Sequence, residues 1–170
     1  MTVKLDFVTA LPDPDAFEAM MRDYYAIMLE KLRAVDGPDL SAKDLAADTM
    51  AHLDELTPPE GRLLLATDQN DALLGCGVIR KIRPDAAELK RMFVRPEAQG
   101  LGLGRKLFEL RLEEARAMGC RAIYVDTIKG NTKMLNMYEN YGFSYIPRYA
   151  ENANDPALEP FLVYMSYTFP

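Results

Sequence analysis

The chain has no tryptophan, one histidine and two cysteines among its 170 residues. A single histidine, His52, leaves zinc catalysis and Ser-His-Asp catalysis without their usual parts. His52 lies in the acidic stretch Ala51–Glu55, where a solvent-facing side chain is expected. Cys76 and Cys120 form no CxxC pair, and two lone thiols in strand-like apolar surroundings make no disulfide scaffold. No metal site is expected. Long apolar runs are also missing: stretches such as Leu63–Ala66 fall far short of the roughly 20 residues that span a bilayer. Met1–Asp6 lacks the apolar core of a signal peptide, so the expected setting is the cytoplasm with no membrane partner.

Net positive charge is lacking as well. The chain carries −6, which disfavours nucleic acid as a partner. The total hides a split. Residues 1–79 carry 6 basic and 15 acidic side chains, residues 80–111 carry 9 and 4, and residues 112–170 carry 5 and 7. A basic island inside an acidic chain points to a compact anionic ligand near residues 80–111. A length of 170 residues at 49 % hydrophobic and 27 % charged fits one globular domain over 1–170.

Periodicity gives the elements. Val3–Thr9 alternates as a strand. Pro12–Asp15 starts a helix whose apolar residues from Phe17 to Leu32 recur at spacings of three and four, and Gly37-Pro38 ends it. Ser41-Ala42-Lys43-Asp44 opens a second helix, to about Leu56. Arg62–Thr67, Ala72–Ile82 and Ala87–Val94 then read as an antiparallel meander. Gly102–Gly119 is a helix with Leu103, Leu107, Leu110 and Ala115 or Met118 inward. Ala122–Thr127 is a buried strand, Thr132–Tyr141 a short helix, Phe143–Ile146 a strand, Pro147–Pro160 a long loop and Phe161–Phe169 the final strand. The order β-α-α-β-β-β-α-β-α-β-β predicts an α/β fold on a mixed sheet of about seven strands, mostly antiparallel, with four helices.

The segment from Glu88 to Leu107 runs from a strand through a glycine-rich turn into a helix. Free amides at a helix N-terminus make an anion site, and glycines let a phosphate approach the backbone. Gly104-Arg105-Lys106-Leu107 lacks the Gly-Lys-Ser/Thr ending of a P-loop, and Gly100, Gly102 and Gly104 have the wrong spacing for a dinucleotide fingerprint. What remains is Gln99-x-x-Gly102-x-Gly104. This resembles the acetyl-CoA signature of the GCN5-related N-acetyltransferases, the GNAT family. A second block follows: Val125-Asp126-Thr127, then Asn131, then Tyr138-Glu139-Asn140-Tyr141-Gly142-Phe143. Together they resemble the family over about residues 61–146.

The resemblance implies a GNAT fold and acetyl-CoA as acyl donor. It places Met92, Phe93 and Val94 along the pantetheine arm, at a point where the strand splays from its parallel neighbour. It places Gln99, Gly100, Leu101, Gly102, Leu103, Gly104 and Arg105 around the pyrophosphate, and Asn131 against the cofactor. Met134 departs from the small residue the family has there. Tyr138 is implied as the general acid for the leaving thiolate, sharing a helical face with Asn131, and Glu88 as the general base. Strand alternation predicts that Glu88, Lys90, Met92 and Val94 share one face, with Leu89, Arg91 and Phe93 on the other. No Cys or Ser stands out as a nucleophile, so direct transfer in a ternary complex is expected.

The acceptor is expected to be a small-molecule amine or amino acid. The acidic N-terminal helices, with Asp23, Tyr24 and Tyr25 as contacts, favour a cationic amine, whereas Arg91 or Arg148 would hold a carboxylate. A protein or peptide amine is the alternative acceptor, and a CoA-binding sensor without turnover the alternative outside the enzymes. The final strand, taken as exposed, is where a homodimer would pair.

Overall fold

The computed structural model describes residues 1–170. Its elements are β1 (Lys4–Val8), α1 (Pro14–Ala34), α2 (Ala42–Ala51), β2 (Gly61–Thr67), β3 (Leu73–Arg83), β4 (Ala86–Val94), α3 (Leu103–Ala117), β5 (Ala122–Ile128), α4 (Thr132–Tyr141), β6 (Ser144–Ile146) and β7 (Leu162–Thr168). Local chemistry sets the helix starts. Asp13 caps α1 by accepting from the Ala16 amide at 3.0 Å, with Pro14 at the first helical position. Ser41 caps α2 by accepting from the Asp44 amide at 3.1 Å. The second helix ends earlier than its periodicity suggests, giving way to a 3-10 turn over Leu53–Glu55. Another 3-10 turn, Pro156–Phe161, lies within the stretch expected to be plain loop.

The strands form one sheet in the order β1-β2-β3-β4-β5-β7-β6. Only β4 and β5 run parallel; all other neighbours are antiparallel. The expected exposed final strand is a correction: β7 lies between β5 and β6, so the free edges belong to β1 and β6. Phe17, Met20 and Met21 of α1 pack with Leu63, Cys76, Val78 and Phe93 on one face. Phe108, Leu112 and Ala115 of α3 pack with Ile79, Leu89 and Val125 on the other, joined by Tyr138 of α4. No helix is long and apolar enough to cross a membrane.

Two irregularities in the middle of the sheet shape the site. β4 pairs with β5 only over Ala86–Glu88 and Ala122–Tyr124. Beyond that, β4 runs on to Val94 and β5 to Ile128 without pairing, and a cleft opens between them. The second irregularity is a β-bulge: Cys76 pairs with Phe93 and Val78 with Lys90, so Arg91 and Met92 together oppose Gly77. Arg91 has φ +50°, the left-handed region.

Candidate active site

The bulge is built by its neighbours. Arg111, buried in α3, donates from Nη1 to the carbonyls of Val78 at 3.1 Å and Lys90 at 3.3 Å, and from Nε to Leu107 O at 3.1 Å. The Cys76 thiol donates to Arg91 O at 3.2 Å. Glycine at 77 is required, since a Cβ there would lie 2.6 Å from Arg111 Nε. On the opposite face the Tyr25 hydroxyl accepts from Arg91 Nε at 3.2 Å.

The extra residue overturns the predicted alternation. Lys90 lies opposite Val78, Arg91 reaches Tyr25, and Phe93 packs with α1, so these side chains share the face of Glu88. Leu89, Met92 and Val94 face α3. A bulge shifts side-chain parity by one, and simple alternation cannot show it.

A cavity of about 590 Å³ runs along the cleft to the start of α3. Met92, Phe93, Val94, Gln99, Gly100, Gly102, Leu103, Gly104, Arg105 and Asn131 line it. Leu101 does not; it is 54 % exposed and faces solvent. Gly100 and Gly102 have φ +80° and +74°, which turns the chain into the helix. Gly102 caps α3 without a side-chain bond, unlike Asp13 in α1 and Ser41 in α2. The amides from Gly100 to Arg105 have no acceptor within the chain, and Lys106 is the first to bond, to Gly102 O at 3.1 Å. These are anion-ready donors. Lys31 of α1 and Lys133 of α4 line the same cavity, and neither lies in the basic island.

Four of the island's nine cations are paired. Arg80 pairs with Glu88, Arg83 with Glu151, Arg95 with Asp23 and Arg105 with Glu109, at 2.5–2.9 Å. Arg105, the one basic residue of the island that lines the large cavity, is thus already paired.

A second cavity, about 140 Å³, adjoins the first and shares Met28, Met92, Asn131 and Met134 with it. Tyr138, Asp126, Tyr24, Tyr25, Lys90, Arg91 and Arg111 complete its polar wall. Tyr138 is buried, and its hydroxyl makes no hydrogen bond within the chain. Burial raises its pKa strongly, partly offset by the Arg111 charge, so it stays protonated at neutral pH. Asn131 is also buried and donates to Thr127 Oγ1 at 2.7 Å.

Glu88 sits elsewhere. It is fully buried, its Oε1 accepts from Arg80 Nε at 2.9 Å, and its Oε2 accepts from the Tyr149 hydroxyl. It lines neither cavity, and both oxygens are engaged, so its placement is that of a buried ion pair rather than of a base facing the cleft.

The carboxylate that does face the cleft is Asp126. Asn152 and Asn154 of the 147–160 loop donate to its Oδ2 at 2.8 and 3.1 Å, leaving Oδ1 without a partner in the chain. Desolvation raises its pKa, opposed by Lys90 and the two asparagines. Asp126 stands in the Val125-Asp126-Thr127 motif without a signal of its own role, because the asparagines that hold it come from a distant loop. Asp23 turns out to pair with Arg95 away from the cleft, and Arg148 donates to the carbonyls of Asn152 and Asn154. No group of three His, Cys, Asp or Glu is clustered to hold a metal.

The model of the acetyltransferase (GNAT) family matches residues 18–143. An IAA acetyltransferase of Azospirillum brasilense is 31 % identical over 76 % of this chain and 82 % of its own length. An uncharacterized N-acetyltransferase of Schizosaccharomyces pombe is 26 % identical over 88 % of each chain. The PaiA N-acetyltransferase of Thermoplasma acidophilum, solved in complex with coenzyme A, superposes with a TM-score of 0.73 at 13 % identity, over 99 % of this chain and all of the other. Splayed parallel strands, a glycine turn with free amides and a match through most of its length agree: this chain belongs to the GNAT family of acetyltransferases.

Proposed function

We propose that this acetyl-CoA-dependent N-acetyltransferase transfers the acetyl group directly to the primary amine of a small molecule in a ternary complex, with residues 1–170 as one catalytic unit. The observation that carries the proposal is one continuous cleft joining free helix-start amides to a protonated tyrosine and an available carboxylate oxygen. The pyrophosphate meets the amides of Gly100–Arg105, with Lys31 and Lys133 alongside. The unpaired edge of β4 from Leu89 to Val94 receives the pantetheine arm as an added strand would be received. Asn131 lies against the cofactor.

Asp126 Oδ1 takes a proton from the acceptor ammonium. We assign the base role here rather than to Glu88, because Asp126 lines the cavity with a free oxygen and burial raises its pKa, which makes its carboxylate the stronger base. The amine nitrogen attacks the thioester carbonyl carbon and the C–S bond breaks. Tyr138 gives its proton to the departing sulfur and regains one from solvent, while the attacking nitrogen sheds its second proton and Asp126 returns the one it took, both to solvent, so that one proton is released per turnover. A covalent intermediate on the chain is disfavoured, since the Cys76 thiol is buried and its pKa is pushed up to about 12.

The test is thiol release from acetyl-CoA across a panel of small amines, amino acids and lysine peptides. Turnover with small acceptors is the expected result. Turnover confined to peptides overturns the small-molecule assignment. Tight acetyl-CoA binding without any turnover makes the protein a sensor.

A further inference from the structure

The charge balance around the acceptor cavity is positive. Lys90, Arg91 and buried Arg111 line it, against a single carboxylate, Asp126. The acids of α1 and α2 do not reach it; α1 contributes Tyr24, Tyr25 and Met28. Arg62, Arg80, Arg83, Arg95 and Arg105 each meet a carboxylate within 3.4 Å, whereas Arg91 meets none. Arg111 Nη2 is buried without any partner.

Arg91 is also the residue the bulge holds at φ +50°, a conformation side chains rarely adopt. Tyr25 engages its Nε, Arg91 lines the cavity, and its two terminal nitrogens have no acceptor within the chain, which leaves them as a free fork. Such a fork matches the two oxygens of a carboxylate. An adjoining cavity of about 170 Å³ is walled by Leu29, Leu32, Leu45, Leu158 and Leu162, with Asp126 at its rim.

We infer that the acceptor is an amino acid with an apolar side chain: Arg91 grips its carboxylate, Asp126 receives its ammonium and the leucine-lined cavity takes the side chain. The inference rests on the small-molecule reading above and narrows its substrate. An amine lacking the carboxylate would add positive charge to a cleft that is already positive, and a polyamine would add more.

The test uses the whole protein with saturating acetyl-CoA and matched acceptors: leucine against 3-methylbutylamine, phenylalanine against phenethylamine, and spermidine. The amino acid of each pair is expected to show kcat/KM at least about tenfold higher, chiefly through KM. Arg91→Asn, a residue that tolerates the left-handed region, is expected to bring that ratio close to one while the acetyl-CoA dissociation constant is retained. Equal or faster turnover of the decarboxylated amines or of spermidine overturns the inference. So does an unchanged ratio in Arg91→Asn, or a protein that binds acetyl-CoA but acetylates no amino acid. Those results leave the acetyltransferase reading standing. A protein whose melting acetyl-CoA does not shift overturns both.

Discussion

Gly77→Ala tests whether Arg111 holds the bulge. A Cβ at position 77 would stand 2.6 Å from Arg111 Nε, 2.8 Å from its Cδ and 2.9 Å from its Cζ. Ordinary contact requires the guanidinium to withdraw by roughly 0.8 Å. Its Nη1 bond to Lys90 O is already 3.3 Å, so withdrawal breaks it and stretches the 3.1 Å bond to Val78 O. One lost bond from a charged donor is worth about 1.5–3 kcal/mol, and overpacking adds about 1–3 kcal/mol. The lower flexibility of alanine in the unfolded chain returns about 0.4–1 kcal/mol. A net loss of about 3 kcal/mol is expected, or a fall in Tm of about 6–12 °C at this size. Urea unfolding followed by circular dichroism measures it. Gly104→Ala is the control: its Cβ would meet only Met92 Cε and Val94 Cγ2, both at 3.8 Å, so stability should hold or rise while the added methyl weakens acetyl-CoA binding. In the Arg111→Met background, Gly77→Ala should do much less damage. A Gly77→Ala protein that melts with the parent, or strictly additive effects in the double variant, would refute the account of the bulge.

Tyr138→Phe should lower kcat by more than about tenfold with acetyl-CoA binding nearly intact, as read by thiol release and by titration of the cofactor. Asp126→Asn should abolish most turnover and remove the acid limb of the kcat/KM profile, which lies above the ordinary carboxylate range because burial raises the Asp126 pKa. The stability sign follows from the same shift. With its pKa raised, the folded state binds more proton than the unfolded state between the ordinary and the raised value, so the parent should lose stability relative to Asp126→Asn as pH rises through that window. Melting scans of both proteins from about pH 4 to 7 check the direction. Deleting Arg91 should leave the sheet folded and acetyl-CoA bound while acceptor turnover collapses, measured by cofactor titration beside the thiol assay.

The cofactor half of the site was legible in the sequence because it is contiguous. Gln99 to Arg105 form one turn whose residues, Leu101 apart, line the cavity, so a glycine-rich strand-to-helix junction together with the family resemblance pointed to it. The acceptor half depends on the third dimension. Asp126 acquires its meaning from Asn152 and Asn154, and Glu88 loses a catalytic placement to Arg80 and Tyr149. Arg111 stands in the i, i+4 row of Leu103, Leu107 and Ala115, so its burial was readable from spacing. A search for apolar residues passes over it. The basic island misled in the opposite way, since carboxylates from β4, α1, the 147–160 loop and α3 itself pair with most of its arginines.

The bulge explains why both halves meet. Without Arg91, Lys90, Met92, Phe93 and Val94 would alternate regularly across β4 in the directions they have now, with Phe93 toward α1 and Met92 and Val94 toward α3. Arg91 is thus the inserted residue, and the core packing of the strand makes no use of it. Its presence requires a left-handed backbone, a glycine opposite, a buried arginine with an orphan nitrogen and a thiol bonded to its carbonyl. A left-handed non-glycine residue and an unpartnered buried donor are each unfavourable by a kcal/mol or more, about 1–3 kcal/mol by general experience. Stability alone would delete the residue. What the insertion provides is a second cation on the acceptor face, next to Lys90 and beside the gap where β4 leaves β5. The fold carries this unfavourable feature at the point where an anionic group on the acceptor would bind.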